Sequence, residues 1–70
     1  MNKLEKLETI LEFKIEEYNK EIEEYTTIKQ RYEKENKKDE AKKWEEIIDR
    51  KLNLKWGIKE ALDALNLINQ

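Results

Sequence analysis

Eight consecutive residues without an apolar side chain, Glu33-Lys34-Glu35-Asn36-Lys37-Lys38-Asp39-Glu40, divide two long segments in which apolar residues recur at helical spacing. A stretch that has nothing to bury, between two that each have a face to bury, is the pattern of a bend between helices lying side by side. The chain therefore reads as all-α. It is expected to be a single antiparallel helical hairpin over residues 1–70, with a helix over about 3–35, a bend over about 36–39 and a helix over about 40–68.

In the first segment the stripe is Leu4, Leu7, Leu11, Ile15, Tyr18, Ile22, Tyr25, Ile28 and Tyr32, with gaps of three or four residues throughout. Ile10 falls at the edge of this face and Phe13 outside it. Leu4, Leu11, Tyr18, Tyr25 and Tyr32 stand seven apart, a heptad seam that is aliphatic at its start and aromatic toward the bend. Each tyrosine hydroxyl needs water or a partner, which places the aromatic half of the seam near an edge. Glu16 with Lys20 and Lys29 with Glu33 have the spacing of helical ion pairs.

At the bend, Asn36 tolerates the left-handed conformation that ends a helix, and Asp39 is a suitable N-cap for the next. The alternative is one unbroken helix of about 65 residues, roughly 100 Å long, in a parallel coiled coil. That arrangement would set Asn36 and Asp39 on its seam, where polar residues cost stability.

The second segment presents Ala41, Trp44, Ile47, Ile48, Leu54, Ile58, Ala61, Leu62, Leu65 and Ile68 on one broad face. Leu52 and Trp56 project away from it, and Gly57 makes a kink or loosened turn plausible there without ending the helix. Folding about residue 37 sets Leu11 near Leu62, Ile15 near Ile58 and Tyr25 near Ile48. Lys51 and Lys55 fall close to the stripe, within reach of Glu17 or Glu21 or of the Tyr18 ring.

Two helices cannot cover both apolar faces, since the second exceeds the roughly 100° stripe of an ordinary surface helix. Seventy residues also hold little core, and without Cys or His the disulfide and zinc staples of small domains are missing. Pairing of two hairpins into a four-helix bundle, a homodimer, is the expected remedy.

Enzyme chemistry has little to draw on. Ser, His and Cys are absent, which removes the usual nucleophile–base pairs, and a single glycine cannot build a phosphate-cradling loop. No catalytic residue, metal ligand or cofactor site is assigned, and the chain is not expected to be an enzyme. No run approaches the roughly 18 apolar residues of a membrane span, and acidic residues stand where a signal peptide would be apolar. A cytoplasmic protein is expected.

Binding is what remains. Phe13, Leu52 and Trp56 are the candidate contacts for a protein partner, tryptophan being favoured at interface hot spots; the competing role for each is to be covered by the second hairpin. Lys37, Lys38, Lys42 and Lys43 form a basic tip that could touch nucleic acid or simply solvate the bend. The expected function is a non-catalytic protein–protein interaction module, a small bacterial or phage regulator, inhibitor or assembly factor. In length and hairpin pattern the chain also resembles Rop-type plasmid regulators, and that resemblance implies an RNA-binding hairpin dimer. No motif is shared with them. The third possibility is a structural coiled-coil piece of a larger assembly.

Overall fold

The computed structural model describes residues 2–68, which form two helices packed side by side in a hairpin: α1, Lys3–Lys34, and α2, Lys38–Ile68. Each helix end has a local cause. Asn2 caps α1, its side-chain oxygen accepting from the Glu5 N–H at 2.8 Å, with the Glu5 carboxylate placed favourably in the first turn. Thr9, Thr26 and Thr27 donate their hydroxyls back to the carbonyls four residues earlier, so none leaves a polar group unmet inside α1.

The bend is a Schellman closure on a non-glycine residue. Asn36 sits at φ 61°, the left-handed region, where its N–H donates to the Glu33 carbonyl at 3.1 Å. The Lys37 N–H then donates to the Tyr32 carbonyl at 2.9 Å. An apolar contact usually joins these last two positions; here the Lys37 ammonium lies 5.9 Å from the centre of the Tyr32 ring. The Lys37 carbonyl already accepts the Ala41 N–H at 3.0 Å, so the chain passes from one helix into the next within three residues. Asp39 consequently lies in the first turn of α2 and is not its cap, the position the sequence suggested. Its charge still favours the helix start.

The seam between the helices follows a seven-residue repeat. On α2 the positions turned to α1 are Ala41, Trp44, Ile48, Lys51, Lys55, Ile58, Leu62 and Leu65, all buried or half-buried. Facing them on α1 are Leu4, Leu11, Tyr18, Tyr25 and Tyr32 with Ile15 and Ile22. Two of the α2 positions are lysines, and this changes the face expected from the apolar residues alone. Leu52 is half-buried beside the seam, whereas Leu54 is 51% exposed. Choosing only apolar side chains rotates the apparent face toward Leu54; keeping the heptad, with Lys51 and Lys55 laying their stems along it, gives the observed one.

Helix α2 runs unbroken through Gly57, and a Cβ added there would meet nothing within 4 Å. Gly57→Ala should therefore stabilise the hairpin by about 0.5–1 kcal/mol. A thermal melt should show this as a midpoint about 4 °C higher.

The hairpin has almost no interior. Ala41, 6% exposed, is the one buried residue among those described. The radius of gyration is 16.0 Å, against about 11 Å for a compact chain of this length. The accessible surface is 5790 Å², against about 4,700 Å² for a compact chain of 8.6 kDa. A hairpin 51 Å long and only 16 by 13 Å across leaves roughly a thousand square ångströms more surface than a folded chain of this mass normally shows.

Candidate interaction surfaces

At the bend end, Tyr25 of α1 and Trp44 of α2 meet with ring centres 5.3 Å apart and planes tilted by 48°, within the preferred range for aromatic pairs. This contact joins the two helices where the first stripe turns aromatic. About two turns further along α2, Lys51 crosses the seam. Its ammonium is 2.7 Å from the Glu21 carboxylate and 5.4 Å from the centre of the Tyr18 ring, so two of the three partners the spacing offered it are used, while Glu17 pairs with Lys14 instead. The Glu21 oxygen is shielded from solvent, and that ammonium is its polar neighbour.

The hydrogen bond that the Lys51 ammonium donates to the Glu21 carboxylate raises the Lys51 pKa above its ordinary 10.5; partial burial opposes this, and the charge of the same carboxylate adds to the rise. A lysine whose folded pKa exceeds its unfolded one stabilises the fold fully below the unfolded value, and loses that contribution as pH rises through the folded value. Lys51→Met should therefore melt below the wild type at neutral pH, and the gap should close above pH 10.5. Parallel melts of the two proteins across the alkaline range check this.

Of the three candidate partner contacts, two stand free on the hairpin: Phe13 is 63% exposed and Trp56 is 56% exposed. Leu52 is half-buried beside the seam. The three do not form one patch. Phe13 lies on the outer side of α1 with Thr9, Ile10, Lys14 and Glu17 around a shallow apolar hollow. Trp56 belongs to α2, and the Lys59 ammonium stands 5.0 Å from the centre of its ring.

The lysines of the bend are interleaved with acids. Lys37 pairs with Glu35 at 3.4 Å. Lys38 and Lys42 line a groove with Glu33 and Glu45, and Lys42 and Lys43 flank Asp39 and Glu46. A phosphate approaching this tip meets both signs of charge, a weak arrangement for a backbone held mainly by cations. Among the described residues no group of three His, Cys, Asp or Glu side chains is placed to hold a metal ion, and no helix is long and apolar enough to cross a membrane.

Comparison with protein-family models, with curated proteins and with solved structures finds no match. Function must be argued from the surfaces themselves.

Sequence reasoning missed the exposure of Leu54, and it missed Glu8, which is half-buried beside the first turns of the seam. The signal for Leu54 was present in the seven-residue spacing Ala41, Ile48, Lys55, Leu62, which passes through a lysine, and that for Glu8 in the spacing Glu8, Ile15, Ile22, Lys29.

Proposed function

We propose that this chain is a non-catalytic protein–protein interaction module that works as a dimer of hairpins, two copies pairing into a four-helix bundle. The observation that carries this is the lack of an interior. A chain with one buried residue among those described and about 1,100 Å² of surface beyond the compact expectation has more to cover than the roughly 800 Å² a stable interface takes from each partner. Small chains without a disulfide or metal staple reach stability by association.

A second protein is then bound through surface the bundle leaves free. Trp56, with Leu52 beside it, supplies the aromatic anchor on which such contacts concentrate. A regulator, inhibitor or assembly factor is the kind of activity such a module has.

The test is capture of interacting molecules from the source cell with the tagged chain, in wild-type form and as Trp56→Glu. The proposal expects a protein that is lost with Trp56→Glu while the variant keeps its helicity and its solution mass. Recovery of RNA, lost in high salt and on changing Lys37, Lys38, Lys42 and Lys43 to Glu, would replace this reading with the RNA-binding one.

A further inference from the structure

The two long edges of the hairpin differ, and one of them is built to be covered. The groove beside the bend is lined by Glu33 of α1 and Glu45 of α2, so these two residues mark one edge. On α2 the row at seven-residue steps from Glu45 is Leu52, Lys59 and Asn66, and on α1 the row through Glu33 includes Glu5, Glu12 and Asn19. Trp56 lies only about 20° from Glu45 on the helical wheel, so it belongs to this predominantly polar edge.

The opposite flank of α2 is the row Ile47, Leu54, Ala61 and Ile68, apolar at every step. Beside it on α1 runs the row Leu7, Lys14, Glu21 and Ile28. The Glu21–Lys51 ion pair ties the middle of that α1 row across to α2. Leu7, Leu54 and Ile68 are exposed there, and Ile10 adds a further 58% exposed side chain next to Leu7.

We propose that a second copy of this chain docks on the Leu7–Leu54 edge, leaving the Trp56 edge on the outside of the bundle. This rests on the dimeric reading above and adds which surface is used. A helix inside a four-helix bundle needs an apolar row toward each of two neighbours; α2 has its second row on this flank and lacks one on the other. Charge agrees. The covered edge carries Lys14 and Lys51 against Glu17 and Glu21, so a copy related by two-fold symmetry meets both signs.

The experiment measures the solution mass of the full chain by sedimentation for wild type, Leu54→Lys and Trp56→Lys. Expected is a dimeric wild type, a dissociation constant raised about 100-fold or more by Leu54→Lys, and an unchanged one for Trp56→Lys. Dissociation by Trp56→Lys with no effect of Leu54→Lys would overturn the assignment of the edge and leave the dimer standing. A wild type that stays monomeric would overturn the dimer and this inference with it.

Because a lysine at residue 54 could also disturb folding, a second readout leaves that flank untouched. In Trp44→Phe the only indole is Trp56. Its emission maximum and its quenching by acrylamide should stay those of an exposed indole as the protein is concentrated through the dimer transition. A blue shift with protection from quenching on association would overturn the proposal.

Discussion

Trp44→Ala is expected to destabilise the hairpin by about 2–3 kcal/mol, below the ~3–5 kcal/mol of a wholly enclosed tryptophan because the ring is half-buried. The loss has two parts: the area withdrawn from water, and the tilted contact with Tyr25 at 5.3 Å, which adds about 0.5–1.5 kcal/mol beyond area. A domain this small rarely has more than about 3–5 kcal/mol in total, so most of its margin goes with one side chain. Urea titration followed by circular dichroism reads the effect. Trp56→Ala is the control: its ring touches little of the hairpin, and a change within about 0.5 kcal/mol is expected. Equal effects of the two substitutions would mean that the bend-end aromatic layer does not hold the helices together.

Ala41→Leu is expected to cost about 1–3 kcal/mol, though it adds apolar volume. Ala41 is 6% exposed one turn before Trp44, where the helices have just left the bend and have little freedom to separate. Three further carbons must push α2 off α1, loosening the Tyr25–Trp44 contact, or turn into the groove beside Lys29 and Glu33, where they meet charged side chains. Helical content should persist while the unfolding midpoint falls. A gain in stability would show that the residue floors a space apolar side chains can fill.

The hairpin was legible because its two signals are local. Helical spacing on both sides of the 33–40 stretch marks the helices, and Asn36, tolerant of positive φ, marks the turn between them. The orientation of α2 about its own axis was not. An apolar face wider than its partner offers several rotations, and the one adopted turns on Lys51 and Lys55, whose stems behave as apolar surface while their charge hides them from a hydrophobicity count. The same rotation decides which surface is left over. Leu52 moved toward the seam and Leu54 away from it, so the candidate contacts Phe13, Leu52 and Trp56 divide between different sides of the molecule. Asp39 was read as the cap of α2 but is its second residue, because the start of α2 is set by the bonds closing α1, and those depend on Tyr32 and Glu33 several residues upstream.

Sedimentation equilibrium of the wild-type chain over a wide concentration range, with thermal melts at the same concentrations, tests the central claim most directly. The account predicts twice the chain mass of 8.6 kDa at the upper concentrations and a melting temperature that rises with concentration, as linkage of folding to association requires. A mass of 8.6 kDa throughout, with a cooperative melt that ignores concentration, would contradict it and show that this hairpin is stable with its faces uncovered.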